Sequence, residues 1–318
     1  MIRALLLAAA FALPASLPFN ALAEAPLAKK QAPGWHRTKV GDFEVTALLD
    51  TTAKLPMVQF LSGAPKEQLS SQMAKHFLTD EPELSVTAYL VNTGRKLVLI
   101  DTGLGTGMGS TPLLLANLRA AGYKPEQIDD VCITHMHSDH IGGLAVGAKR
   151  AFPKAVLHID KADSDYWTGA VPAGVPDEMK EGFAVAKAMV GPYKAAGKFQ
   201  PFEGETKIVD GVTAVPTHGH TPGHAIYRIE SKGETLVLWG DLMHVAAVQF
   251  ENPKIAINFD SDSPRAIEQR EKAFAEAAQK RWLVGAAHLS FPGLGHIRSE
   301  GSGYAFEPLN YSALRSAK

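Results

Sequence analysis

The sequence predicts an α/β domain built from two mixed β-sheets with helices on their outer faces. Three observations carry this. Strand-like and helix-like segments alternate through two halves of the chain, as layered α/β architectures require. Apolar strands repeatedly end in a turn that presents histidine or aspartate, at 135–140, His220, Asp241 and His288. No repeat, low-complexity tract or linker interrupts the 318 residues, which suit one large domain.

Residues 1–23 read as a secretory signal. Arg3 supplies the positive start, Ala4 to Leu13 form a short apolar run, and Ala21-Leu22-Ala23 is a small-x-small cleavage site. The run is short and followed by Pro14 and Pro18, so it does not suit a bilayer span. A secreted or periplasmic location follows, with no membrane contact after cleavage. Residues 24–38 read as a flexible leader, and 39–318 as a single catalytic domain.

Within that domain Phe43 to Leu49 is strand-like. Val86 to Val91 and Leu97 to Ile100 form a hairpin turning at Asn92-Thr93-Gly94, and the second strand runs into Asp101-Thr102-Gly103. Residues 54–84 show no clear period, and the apolar tip including Phe60 and Leu61 suits a loop or lid over a pocket. Pro112 to Tyr123 has helical spacing behind a proline. Val131 to Thr134 and Ala155 to Ile159 read as strands, Asp160 to Trp167 and 178–198 as helices. Gly211 to Pro216, Ala225 to Ile229, Thr235 to Trp239 and Leu283 to Ala287 are strands. Ser263-Pro264 opens a helix to about Lys280, with serine as its cap.

Composition narrows the function. The chain is 46% hydrophobic and 20% charged with a formal net charge of −1. That balance offers nothing to nucleic acid or to an acidic membrane. A single cysteine, Cys132, excludes an intrachain disulfide and reads as a small buried hydrophobe within its strand. Twelve histidines are the oddity.

Three of them, with an aspartate, fall in His135-Met136-His137-Ser138-Asp139-His140. Imidazole and carboxylate at this density suit a positive ion between them, and both are ligands that zinc accepts. In an extended segment His135 and His137 point the same way and grip one ion. Asp139 and His140 lie past the bend, better placed for a second. Adding His220, Asp241 and His288 makes seven candidates, too many for one zinc, which suits two ions sharing a carboxylate.

This pattern resembles the metallo-β-lactamase superfamily. His135 to His140 matches its HxHxDH motif, Gly219-His220-Thr221-Pro222-Gly223-His224 its GHTPGH element, Gly240-Asp241 its GD element, and His288 its last ligand. The resemblance implies an αββα sandwich and two divalent ions, zinc first, with manganese, cobalt or iron also accepted. It implies that His135, His137 and His220 hold one ion, Asp139, His140 and His288 the other, and that Asp241 bridges them. Asp139 and Asp241 are the catalytic carboxylates, and a homodimer is implied.

Within the superfamily, zinc β-lactamases proper carry a cysteine near the bridging position, where this chain has Asp241. Flavo-diiron proteins carry glutamate where this chain has His137. Glyoxalase-II-like thioesterases share the ligands, but the secretory signal disfavours their cytoplasmic substrates. The runs Trp239 to His244 and His288 to His296 resemble the methyl parathion hydrolase group and its lactonase or arylesterase relatives, including dihydrocoumarin hydrolase-like enzymes. The implied reaction is attack by a hydroxide bridging the ions on a small-molecule ester or lactone. His244, Ile257 and Phe259 suggest a narrow pocket suited to a planar lactone or aryl ester. A tetrahedral phosphotriester of the methyl parathion type is the alternative. Trp167 reads as a pocket wall or as core, and Asp101 as a residue that orients a ligand histidine or caps a turn. His218, His224 and His296 read as structural, while His36 and His158 have no identifiable partner.

Overall fold

The computed structural model describes residues 25–175 and 177–313, so the predicted signal segment lies outside the described residues. Residues 25–32 are exposed and without regular structure.

Alternation along the strands explains the layers that follow. The first sheet comprises β1 (Trp35–Val40), β2 (Phe43–Lys54), β3 (Glu83–Asn92), β4 (Leu97–Ile100), β5 (Asp130–Cys132), β6 (Val156–Asp160) and β7 (Phe199–Phe202). The second comprises β8 (Thr206–Val209), β9 (Val212–Pro216), β10 (Ala225–Ser231), β11 (Glu234–Leu238), β12 (Leu283–Gly285), β13 (Leu294–Glu300) and β14 (Gly303–Pro308). Each sheet is hydrogen-bonded in chain order. In the first, β1 to β4 pair antiparallel and β4 to β7 parallel. In the second, only β11 and β12 are parallel. Both sheets are therefore mixed.

Successive side chains of a strand point to opposite faces, and here both faces are covered. Val45, Ala47, Tyr89, Val91, Val98, Ile100 and Cys132 meet Val212, Ala214, Tyr227, Ile229, Leu236 and Leu238 between the sheets. Cys132 is fully buried there, as its apolar neighbours suggest. The residues between them, such as Leu90, Leu99, Val131 and Leu157, pack outward. They meet α2 (Leu114–Ala120), α3 (Lys161–Thr168) and α4 (Asp177–Ala195), introduced after α1 (Lys66–Lys75). The outer face of the second sheet is closed by α5 (Ser263–Lys280), whose buried residues are Ala266, Arg270, Phe274 and Ala277. The order of layers is αββα.

Three expectations are corrected. The leader does not extend to residue 38, because Trp35 to Val40 pairs with β2 from Trp35↔Leu48 to Val40↔Phe43. Its polar sequence reflects an edge strand that is only half buried. Residues 54–84 are not a loop. They hold the helical turn Met57–Phe60, the short strand Leu61–Ser62 and α1, packed with Val245, Val248, Ile255 and Ile257 around buried Met57, Leu61, Leu69 and Met73. The turn and the ribbon are too short to establish a period, and α1 buries only Leu69, Gln72 and Met73, of which two are apolar. The cap of α5 is Asp262, not Ser263: its Oδ1 accepts the Arg265 N–H at 3.1 Å.

Candidate metal centre

Tight turns at the C-terminal ends of strands deliver the ligands. β5 runs into His135 and the helical turn Ser138–Ile141, β11 into Asp241, and β12 into His288, while β9 and β10 flank the loop bearing His220. Asp163 of α3 fastens two of these loops together, its carboxylate accepting the Met136 N–H at 2.8 Å and the Gly223 N–H at 2.7 Å. A Cβ on Gly223 would lie 2.3 Å from the Asp163 nitrogen, so only glycine allows this approach. Burial pushes the Asp163 carboxyl up to about 6. Sequence reading missed this residue.

Two groups of potential ligand atoms result. His135, His137, His220 and Asp241 form one, and Asp139, His140 and His288 the other, with atoms within 4.8 Å of one another in each. In the first, His137 Nδ1 lies 3.0 Å from His135 Nε2 and 3.1 Å from His220 Nε2. Asp241 Oδ2 is 3.6 Å from His135 Nε2 and 3.4 Å from His220 Nε2. In the second, Asp139 Oδ2 is 3.6 Å from His140 Nε2 and 3.4 Å from His288 Nε2. Asp241 Oδ1 stands 3.2 Å from each of those two nitrogens. Asp241 thus faces both groups, with Oδ2 also 3.3 Å from His288 Nε2.

Hydrogen bonds on the far side of the rings show which nitrogens keep lone pairs. Imidazole donates from one nitrogen and accepts at the other when neutral. His140 Nδ1 lies 2.8 Å from Asp101 Oδ2, His220 Nδ1 2.8 Å from Asp260 Oδ1, and His288 Nδ1 2.9 Å from the Ser85 carbonyl. With the proton on Nδ1 in each, Nε2 presents a lone pair to Asp241. His140 Nε2 and Asp241 Oδ1 are buried acceptors without a hydrogen-bond partner. Acceptors facing acceptors at this distance need a positive charge between them. Ligand separations near 3.3 Å follow for a tetrahedral ion with bonds of ~2.0–2.1 Å. The residues fit two divalent ions.

Protons compete for the same positions. Burial alone would deprotonate His220, but its bonds to Asp241 and Asp260 hold it up at about 9. Burial opposes a charge on His140 too, yet Asp241, Asp139 and Asp101 raise it well above its ordinary value. Burial raises the Asp241 carboxyl, but the surrounding histidines, His288 and His140 foremost, drive it far below the usual range.

Asp101 orients His140, the first of the two roles considered for it. It also accepts the Thr134 N–H and hydroxyl, each at 2.8 Å, and sits at φ +60, where few residues other than glycine and Asx settle. Asp101→Asn is expected to present an amide N–H to His140 Nδ1 and move the proton to Nε2. Affinity for the second ion should fall by ~10–100-fold, with the first retained, as read by chelator competition.

His224 is structural: Nδ1 meets the Thr217 hydroxyl at 2.8 Å, and Nε2 accepts the Asp241 N–H at 3.1 Å, fixing the turn of the shared carboxylate. His218 pairs with Asp160, and His158 finds a partner in Asp130. His244 Nε2 lies 3.0 Å from Asp241 Oδ2, and its ring stacks on His288 and approaches Phe259, with centroids 5.6 and 6.3 Å apart. Phe259 meets Phe60 at 4.8 Å. Leu61 and Ile257 are paired in a two-stranded ribbon and wholly enclosed in the cluster around Met57. Trp167 is both core and neighbour of the centre, packing on Phe183 and setting its ring on His137 at 5.4 Å. Asp260 was not legible: it stands in a polar stretch, 40 positions from the histidine it orients.

Comparison with known proteins places this geometry. A family model described as the metallo-beta-lactamase superfamily matches residues 82–288. An N-acyl homoserine lactonase of Bacillus cereus is 26% identical over 199 residues, 56% of this chain and 72% of that protein. The crystal structure of hydrolase AbOPH of the beta lactamase superfamily superposes with a TM-score of 0.85 at 33% identity, covering 89% of this chain and 100% of that one. AidC, a dizinc quorum-quenching lactonase solved with the product N-hexanoyl-L-homoserine, gives 0.82 at 25% identity, covering 88% and 99%.

Proposed function

The chain belongs to the metallo-β-lactamase superfamily and is a metal-dependent hydrolase, and from that premise we propose that it hydrolyses lactones and aryl esters of the dihydrocoumarin type. The observation that carries the reading is the sharing of Asp241 between two ligand groups, with His244 and Phe259 closing in beside it. Similarity to two lactonases supports the substrate class. The N-terminal segment supports a secreted or periplasmic location.

His135, His137, His220 and Asp241 would hold one ion, and Asp139, His140, His288 and Asp241 the other. Two divalent ions held there would supply Lewis-acid activation of water and of the scissile carbonyl. Asp241 has both oxygens committed to imidazoles, whereas the Asp139 side chain keeps 28% of its surface exposed. Asp139 is therefore the carboxylate placed to relay a proton to a leaving alkoxide. A phenolate leaving group needs less help. His244 and Phe259 orient a flat ring against the centre.

The test is kcat/KM on purified, metal-reconstituted protein for dihydrocoumarin and for a methyl-substituted p-nitrophenyl thiophosphate. A lactone preference of about a hundredfold, some 2.7 kcal/mol of differential transition-state stabilisation, is the expected result. A reversed preference makes the chain a phosphotriesterase on the same centre.

A further inference from the structure

α5 carries an arginine on its apolar stripe. Arg270 is fully buried, between Ala266 and Phe274 on the same face. Burying a guanidinium costs several kcal/mol unless its donors are satisfied, and no carboxylate bonds to this one among the described residues. Its partners are backbone carbonyls of two loops. Nε donates to Leu242 O, and Nη1 donates to Pro253 O at 2.8 Å and to Ile255 O at 2.7 Å. Burial pulls the group down only to about 10, so it stays charged at neutral pH.

Both loops belong to the metal centre. Leu242 follows Asp241 directly, and the loop 253–260 ends in Asp260, which orients His220. Gln249 reinforces the tie, donating to Ile255 O at 3.0 Å and accepting the His244 and Val245 N–H groups at 2.7 and 3.0 Å. The same helix buttresses His220 at its other end. The Asp262 N–H donates to Gly219 O and the Ser261 N–H to His220 O, each at 2.9 Å. A Cβ on Gly219, at φ +150, would lie 2.4 Å from the Ala266 nitrogen, so the loop and the helix touch directly. The segment that caps α5 thus sets His220, and Arg270, further along the helix, sets the turn of Asp241.

We propose that Arg270 is a positioning residue for the metal centre, its buried guanidinium holding the Asp241 turn and the Asp260 loop at the separation that lets Asp241 and His220 share an ion. A backbone carbonyl staple of this kind needs the forked donor geometry of arginine, which lysine lacks.

The test measures Co²⁺ affinity by chelator competition, the visible absorption of the Co²⁺-substituted protein, and kcat with KM. Arg270→Met is expected to weaken Co²⁺ binding by ~10–100-fold, the scale seen when groups that orient ligands are lost. Its ligand-field absorption should shift, and kcat should fall while KM holds. Arg270→Lys should behave like it in milder form, and serves where the methionine variant does not fold. Ala275→Gly, on the exposed face of α5, destabilises the same helix by about 1 kcal/mol, so its Co²⁺ affinity and spectrum should match the parent. The proposal is overturned by parental affinity and spectrum in Arg270→Lys or Arg270→Met, or by equal losses in Ala275→Gly. Because Co²⁺ is read without substrate, a failed lactone assignment leaves this result standing.

Discussion

Asp241→Asn is expected to lower kcat/KM by at least ~10³-fold, about 4 kcal/mol of transition-state stabilisation, and to reduce bound metal from two ions per chain to one or none. Asp241 faces both groups, one oxygen 3.2 Å from His140 and His288, the other 3.4 Å from His220. Asparagine keeps the volume and the Asp241 N–H bond to His224, so the turn should survive. What disappears is the negative charge and one of the two acceptor oxygens. Replacing the acceptor by an amide N–H turns a donor toward the imidazole Nε2 lone pairs, which it would occupy in place of an ion. Asp139→Asn touches only the second group and is the control, retaining one ion. Metal analysis and steady-state kinetics on the same preparation decide it: two ions per chain with kcat/KM within tenfold of the parent would refute the shared-carboxylate scheme.

The ligands were legible and their supports were not, for a physical reason. A ligand must be histidine or aspartate, and three of the loops carrying them are turns needing glycine or sharp bends beside an apolar strand, so composition and local order coincide at His135 to His140, at Gly219 to His224 and at Gly240-Asp241. The residues that orient them obey only a distance in space. Asp260 and Asp163 are ordinary acidic residues in polar surroundings, and Arg270 looks like one more charge on a charged helix until its burial is seen. The fold shows the same division. Central strands with continuous apolar runs, such as β3, β4 and β11, stood out. The edge strand β1 is half-exposed and largely polar, and in the C-terminal hairpin of β13 with β14 glycine, histidine and charged residues interrupt the apolar positions. The turns of residues 57–62 gain their shape from Ile257, which pairs with Leu61 from far along the chain.

Removal of the ions should abolish turnover and lower thermal stability by an amount that grows with pH. Ions present at a thousandfold excess over Kd contribute about 4 kcal/mol for each site, or ~8–16 °C at 2–4 °C per kcal/mol for a domain of this size. With no ion bound, protonated His220, raised to about 9 by Asp241 and Asp260, supplies the positive charge those carboxylates need. A histidine raised on folding contributes stability that is complete below its unfolded value near 6.5 and lost as pH climbs through about 9. His140, also raised, acts in the same direction. Metal-loaded protein has no such protons to lose, since its ligands must already be deprotonated. The gap in Tm between loaded and chelated protein should therefore be small near pH 6 and widen steadily toward pH 9. Scanning calorimetry of both forms across that range measures it. A gap that is constant or narrows with rising pH would mean that these histidines do not trade protons for metal, and that the ions bind elsewhere.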